Sequence, residues 1–293
     1  MRRFFAFNNI TIMEVFHHRM ETNQRLISLR KEGNSIGFVP TMGALHAGHM
    51  SLVRYSKQQN DCTVVSIFVN PTQFNNKEDL IRYPQNLDKD ISLLEKEGCD
   101  IVFVPDEKEM YPEPDLRVFS FGNLDKVMEG KHRPGHFNGV AQVVTKLFDI
   151  VMPHRVYFGL KDFQQVTILK KLVADCAYPV EIIPCPIIRE ADGLALSSRN
   201  MRLSPEQRQH AALISKTLLK AQHTGISVSL EKIKKTVVDT LNEDPYLQVE
   251  YFEIVDDKTL QPVRSWDTSG GKVGCIAVSV GNVRLIDNIP FNL

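Results

Sequence analysis

The chain has 293 residues, and its 35 Lys and Arg are matched by 35 Asp and Glu, so no net charge draws it onto nucleic acid or an anionic membrane. With 43% hydrophobic and 24% charged residues, and no run approaching ~18 apolar residues, the composition excludes the disordered and transmembrane classes. The length suits one large enzyme domain or two domains sharing an interface, and any phosphate chemistry must come from local charge.

Residues Met1 to Phe7 are basic then apolar, and Asn8 and Asn9 stop the apolar run short of the roughly 7 to 15 residues of a signal peptide, which predicts a cytoplasmic protein. Apolar runs at 36–40, 62–69, 101–104, 156–158 and 180–183 predict strands, several of them rich enough in β-branched and aromatic residues for burial on both faces. Between them, apolar residues three and four apart predict helices near 49–59, 88–97, 139–151 and 162–174. The alternation predicts an α/β fold with a Rossmann-like parallel sheet. After about residue 187 the texture changes. The Pro184-Cys185-Pro186 stretch cannot propagate a helix, which predicts domains of 1–187 and 188–293. In the second, Ser204-Pro205-Glu206-Gln207 predicts a capped helix start running to about Gln222, followed by a helix near 229–242. Strands at 248–255, 274–280 and 283–286, the last two joined at Gly281-Asn282, complete a small α+β domain. Cys62, Cys99, Cys176, Cys185 and Cys275 are odd in number and form no C-x-x-C pair, so free buried thiols are expected, not disulfides or a zinc site.

Five segments could carry chemistry. PTMGALHAGH at 40–49 leaves the first strand and enters a helix, where α/β sheets bind ligands. Gly43 permits a tight turn, Gly48 lets an anion approach the backbone, and His46 and His49 project on one side of a first helical turn, suited to a triphosphate. No G-x-x-x-x-G-K-[ST] or G-x-G-x-x-G loop occurs. Asn70 and Gln73, at the end of the second strand, offer uncharged donors and acceptors for a hydroxyl and a carboxylate, although Asn-Pro by itself is a turn. Lys161 and Asp162 again lie at a strand end, as a phosphate cation and as a helix cap or ribose ligand. Ser197, Ser198 and Arg199 could close over phosphates from the second domain. Arg133 and His136 read equally as anion contacts or as a basic surface turn.

In this order and spacing, PTMGALHAGH, FVNPTQF at 68–74, RPGHFNGV at 133–140, GLKDFQQ at 159–165 and READGLALSSRN at 189–200 resemble the pantothenate synthetase (pantoate–β-alanine ligase) family. The likeness continues at 251–255 and 284–288 and so spans nearly the whole chain. The H-x-G-H element alone implies only the wider nucleotidyltransferase superfamily, which includes class I aminoacyl-tRNA synthetases. The resemblance implies an ATP-dependent, AMP-forming ligation in two steps. Pantoate's carboxylate attacks the α-phosphate of ATP, releasing pyrophosphate, and β-alanine's amine then attacks the pantoyl adenylate. Adenylation supplies the leaving group that a carboxylate lacks, and water must be kept from the anhydride.

Carried over position by position, Met42, Gly43, Ala44, Leu45, His46, Ala47, Gly48 and His49 form the first ATP segment, with His49 in the place of the family's catalytic histidine. Gly159, Leu160, Lys161, Asp162, Ile188, Leu196, Ser197, Ser198 and Arg199 match the other ATP contacts, and Gln73 and Gln165 match the pantoate contacts, Gln73 also lying near the β-alanine position. Asn70, Arg133 and His136 are further assignments. Magnesium (Mg2+) is expected with the triphosphate, held mainly by phosphate oxygens and water, with Asp90 a candidate protein contributor. The resemblance also implies a homodimer with small-molecule substrates, and neither nucleic acid nor membrane as partner. Leu160 stands where the family has Glu and Leu196 where it has Met; a backbone role at the first would leave activity untouched, and the second swap keeps apolar volume. The competing classes are a nucleotidyltransferase making another adenylate or a CDP-linked product, and a non-catalytic nucleotide sensor.

Overall fold

In a computed structural model that describes residues 13–291, the alternating segments form a parallel sheet of six strands, β1 (Glu14–Phe16), β2 (Ile36–Thr41), β3 (Cys62–Ile67), β4 (Ile101–Phe103), β5 (Arg155–Gly159) and β6 (Glu181–Cys185). Their order across the sheet is β1-β4-β3-β2-β5-β6, and every pair is parallel. The residues from Met1 to Phe7 lie outside the described residues.

The strands bury both faces because side chains alternate across them. Phe38, Val64, Phe103 and Val156 face a core closed by α1 (Arg19–Lys31) and by the helices before and after β5, whereas Val39, Val65, Val102 and Tyr157 face one closed by α2 (Ala47–Gln59) and a second helix after β3. After β3 come a short helix α3 (Lys77–Ile81), then α4 (Leu87–Glu97), which supplies Leu94 to that second core, and after β4 the short α5 (Glu107–Met110) and α6 (Met128–His132). Then α7 (His136–Val151) leads to β5, and α8 (Phe163–Asp175) to β6. The chain runs from β2 to one side of the sheet and from β5 to the other. The loops after β2 and β5 therefore flank the switch point at which such sheets open a crevice.

The C-terminal part is an antiparallel sheet of β7 (Leu247–Asp256), β8 (Lys272–Val280) and β9 (Val283–Phe291), packed with α9 (Pro205–Thr224) and α10 (Leu230–Asn242) around a separate core that includes Leu218, Val237, Phe252 and Val278. The expected helix start is present: the Ser204 hydroxyl accepts from the Gln207 N–H at 3.2 Å and the Gln207 amide oxygen accepts from the Ser204 N–H at 3.0 Å, with Pro205 in the first turn. Gly281, at φ +57°, turns the β8–β9 hairpin, and Val280 pairs with Val283 across it.

Four expectations are corrected. The edge strand β1 and helix α1 were not foreseen. The helix expected near 139–151 instead begins at His136, and α6 precedes it in place of a basic surface turn alone. β9 runs on to Phe291 because it follows β8 along its whole length. Cys176 is exposed at the end of α8, while the other four thiols are buried. No helix of the described residues is long and apolar enough to cross a membrane.

Candidate active site

A cleft of about 240 Å3 opens at the switch point, between the loops that follow β2, β3 and β5 and the connector after β6. Its inner wall is apolar, with Leu52, Phe68, Val143, Val144, Leu147 and Phe158, and its mouth carries imidazoles, amides and cations.

The loop after β2 is held from below by Asp90. That carboxylate is 1% exposed, and its oxygens accept from the Ala44 N–H at 2.9 Å and the Leu45 N–H at 2.7 Å. The two N–H groups offset much of the desolvation that pushes its pKa up, so Asp90 is a strut beneath the loop. It is not among the residues lining the cleft, and each of its oxygens is taken up by a loop N–H. Gly43 at φ +81° makes the turn; a Cβ there would lie 3.1 Å from Asp90 and 3.2 Å from Ile67.

His46 and His49 close the helix start with a reciprocal pair of bonds. His46 Nδ1 accepts from the Gly48 N–H at 3.1 Å, and His49 Nδ1 accepts from the His46 N–H at 3.3 Å. Two donors expected to meet an anion are thus satisfied by the rings themselves. An imidazole whose Nδ1 accepts carries its proton on Nε2, so each ring is a neutral donor at its outer edge. Burial, joined by the Lys161 charge, pushes His46 down to about 4; burial, joined by His46 and Lys161, pushes His49 to about 3. The ring centroids are 4.1 Å apart. Gly48 is required by His46 and not only by a ligand, since a Cβ would come within 2.8 Å of the His46 ring.

At the end of β3 the turn 70–73 presents Gln73. Asn70, 1% exposed, donates to the Gln73 side-chain oxygen at 3.1 Å and to the Gly139 carbonyl at 3.2 Å, and accepts from the Tyr111 hydroxyl at 2.8 Å. Its amide is fully engaged, so it orients Gln73. Gly139 lies flush against this turn, where a Cβ would sit 2.3 Å from the Thr72 carbonyl oxygen. His136 Nδ1 donates to the Gln73 carbonyl at 2.9 Å, and burial pushes its pKa to about 4.

After β5, Gly159, Lys161, Asp162 and Gln165 line the cleft. Asp162 does not cap α8, which corrects the capping alternative. Leu160 does not line the cleft; its carbonyl and that of Lys161 accept from the Asn288 side chain on β9, at 2.8 and 3.0 Å. This tie from the C-terminal sheet was invisible in the sequence, where Asn288 sits 128 positions away.

The connector after β6 returns over the mouth. Arg189 and Ala195 form an antiparallel bridge, Arg189 pairs with Asp287 at 2.6 Å, and the Leu196 N–H donates to the Ile188 carbonyl at 2.9 Å. Ser198, 6% exposed, donates to the Ala44 carbonyl at 3.1 Å, tying this connector to the β2 loop. Arg199 donates to Asp79 at 2.7 Å, and Arg202 donates to the same carboxylate at 2.6 Å.

Of the residues singled out in the sequence, Met42, His46, Gly48, His49, Gln73, Gly159, Lys161, Asp162, Gln165, Ile188, Leu196, Ser197, Ser198 and Arg199 meet in this one cleft, together with Asn70, Arg133 and His136. Gly43, Ala44, Leu45, Ala47 and Leu160 do not line it. Asp79, Asp90, Gly139 and Asn288 position those that do, a role that no local pattern gives them.

The family model described as pantoate-beta-alanine ligase matches residues 14–290. The pantothenate synthetase of Bacteroides fragilis (strain YCH46) is 53% identical over 279 residues, covering 95% of this chain and 99% of that one. The crystal structure of pantothenate synthetase from Thermus thermophilus superposes with a TM-score of 0.90 at 41% identity, over 96% of this chain and all of that one. The pantoate-beta-alanine ligase of Francisella tularensis, solved with beta-gamma ATP and beta-alanine, superposes with a TM-score of 0.81 at 37% identity, over 96% of this chain and 98% of that one.

Proposed function

The chain belongs to the pantoate-beta-alanine ligase family, and on that premise we propose that its cleft condenses pantoate with β-alanine through a pantoyl adenylate. The observation that carries this reading is the pair of imidazoles at the switch point. Both have Nδ1 tied to the backbone, and both keep an Nε2–H for a ligand.

In the first step a carboxylate oxygen of pantoate bonds to the α-phosphorus of ATP as the bond from that phosphorus to the β-phosphate bridge breaks. An ionised carboxylate needs no base, so His49 and His46 act as donors to charge moving onto the departing pyrophosphate, with Lys161 and Arg199 as cations beside them. Neutral donors already in place need no reorganisation as that charge develops. Gln73 and Gln165 hold the polar groups of pantoate, and its two methyl groups fit the apolar inner wall of Val143, Val144 and Phe158. In the second step the deprotonated amine of β-alanine attacks the acyl carbon, the bond from that carbon to the phosphate oxygen breaks, and AMP leaves with its phosphate taking the proton that nitrogen gives up. Ser198, by tying the connector to the Ala44 carbonyl, helps keep water from the anhydride.

The donor set fits magnesium brought in with the nucleotide. Among the described residues no three His, Cys, Asp or Glu side chains form a metal cage. Phosphate oxygens and water would supply most ligands, and Asp162, the one carboxylate among the residues lining the cleft, the protein's share. When bound, the ion offsets charge on the triphosphate.

The same reading divides the chain at 187/188 and makes it a cytoplasmic homodimer. The C-terminal core, separate from the two that flank the parallel sheet, supports the division, and a smaller cluster of Met128 with Val255, Leu260, Val273 and Cys275 joins the two parts. Four buried free thiols suit a reducing compartment, and Leu116 and Val118, 86% and 87% exposed between α5 and α6, suit a partner surface. Sedimentation that returns a monomer at micromolar concentration would remove the dimer.

The ligase reading is tested by incubating purified protein with ATP, pantoate and β-alanine, omitting each in turn. AMP and pantothenate are expected only from the complete mixture, and pyrophosphate exchange into ATP only with pantoate. Exchange stimulated better by another acid would sink the assignment, and binding without turnover would leave a nucleotide sensor.

A further inference from the structure

Of the two guanidinium groups lining the cleft, Arg133 and Arg199, the first is the less closely engaged. Its guanidinium lies 3.4 Å from a Glu129 oxygen and 3.5 Å from the Gln73 carbonyl, both at the outer limit of a hydrogen bond, although the side chain is only 23% exposed. A guanidinium holds five N–H donors in a planar fork, and burying so many without close acceptors is unfavourable. Burial accordingly holds its pKa below the ordinary arginine value.

Glu129 gives it a shared charge but no close bond. Each of its oxygens accepts a 2.7 Å bond from Arg284 on β9, and one also accepts from the Tyr251 hydroxyl at 2.8 Å. Arg199, by contrast, is held by Asp79. Lys161 acts on His46 and His49, at the phosphate corner. Arg133 stands beside Gln73: it shares the Gln73 carbonyl with His136, and together with Lys161 and Arg199 it lines both the inner cleft and an adjoining outer cavity of about 530 Å3.

Resting on the ligase reading above, we propose that Arg133 anchors the carboxylate of β-alanine, so that the second step selects an amino acid over a simple amine. The reaction handles two carboxylates. That of pantoate must attack phosphorus and ceases to be an anion on adenylation, so a bidentate clamp on it would stabilise the ground state and slow the first step. That of β-alanine keeps its charge throughout and takes part in no bond change, so only a binding group can read it. A planar fork with vacant donors is matched to that task. Its place between the inner cleft and the outer cavity puts it on the side from which an amine can enter once pantoate and nucleotide fill the interior.

The experiment compares β-alanine with its uncharged amide as amine substrates of the full chain, beside pantoate-dependent ATP–pyrophosphate exchange, which reads the first step alone. Arg133→Met is expected to lower kcat/KM for β-alanine about 100-fold, the scale of truncating one partner of a buried charge pair. It should also erase most of the preference for β-alanine over the amide. A loss of ligation at least about tenfold greater than the loss of exchange supports the anchor; any smaller ratio overturns it. Should that variant fail to fold, Arg133→Lys keeps the charge without the fork, and the same ratio is read from its KM for β-alanine. In the wild type, equal use of β-alanine and its amide would also overturn the proposal. Absence of pantoate-dependent exchange from the wild type would instead overturn the ligase reading, and this inference with it.

Discussion

Asp79 and Arg199, 120 positions apart in the chain, meet at 2.7 Å, and the same carboxylate holds Arg202 at 2.6 Å. The pair links α3 to the connector that crosses the mouth of the cleft. Only one Arg199 nitrogen is used, so the pair leaves the rest of the fork for a phosphate while limiting where it can swing. Asp79→Asn is expected to raise the KM for ATP by about threefold to tenfold, as befits a partly exposed pair of roughly 1 kcal/mol, and to make it less sensitive to salt. An unchanged KM for ATP across roughly 50 to 300 mM salt would show that the pair does not position Arg199.

The histidines give a pH signature in two parts. His46, His49 and His136 are held at about 4, 3 and 4 by burial, so adenylation by the free enzyme should show no inflection from them between roughly pH 5.5 and 8. In the unfolded chain each titrates near ~6.5. Their folded pKa values are depressed, so the unfolded chain binds protons that the folded chain refuses. The stability they contribute is complete above about pH 6.5 and is lost as pH falls towards 4 and 3, by up to about 1.4 kcal/mol per pH unit for each ring. Melting temperatures between about pH 7.5 and 4.5 should therefore fall on the acid side, and less steeply in His136→Asn. Parallel slopes in the two proteins would contradict the assignment for His136.

Gly48 and His49 should fail in related ways. His49→Ala removes one preorganised donor and is expected to slow adenylation by roughly 10² to 10³. Gly48→Ala leaves both rings in the chain, but its Cβ would lie 2.8 Å from the His46 ring. The ring must turn, breaking its bond to the helix start. Single-turnover adenylation slowed at least about tenfold is expected, and a wild-type rate would show that the ring pair tolerates rearrangement.

Asp90→Asn should separate loop geometry from chemistry. The amide keeps the shape but offers one acceptor where two N–H groups converge, leaving Ala44 or Leu45 facing a donor. A loss of about 1 to 3 kcal/mol in denaturant unfolding is expected, with slower adenylation even where the protein remains folded. Unaltered stability would mean that water or a shifted backbone satisfies the loop as well as the carboxylate does.

The sheet was legible because its strands are nearly continuous apolar runs, and β2 and β3 are buried along almost their whole length. β1 escaped because Glu14-Val15-Phe16 is three residues long and sits at the edge, and α1 because it buries only Thr22 and Leu26. In the cleft the readable residues are those whose side chains carry the chemistry and lie next to a strand end, such as His49, Gln73 and Lys161. The supporting role of other residues was not readable, even where the residue itself lay in a marked segment. Asp90 lies 45 positions from the loop it holds, inside an ordinary amphipathic helix, and Gly139 resembles any glycine until its neighbour's carbonyl is seen 2.3 Å from where a Cβ would go. Long-range closure, not local pattern, gives such positions their meaning.

The backbone bonds at Nδ1 of His46 and His49 also bear on inhibitor design. With their tautomers set by the loop and their protons held on the outer nitrogens, these rings ask a ligand for lone pairs and not for formal charge. A neutral mimic of the acyl phosphate, built around well-placed acceptor oxygens, should therefore still be held by both rings, giving up only the attraction of Lys161 and Arg199, and would cross a membrane more easily than an anion.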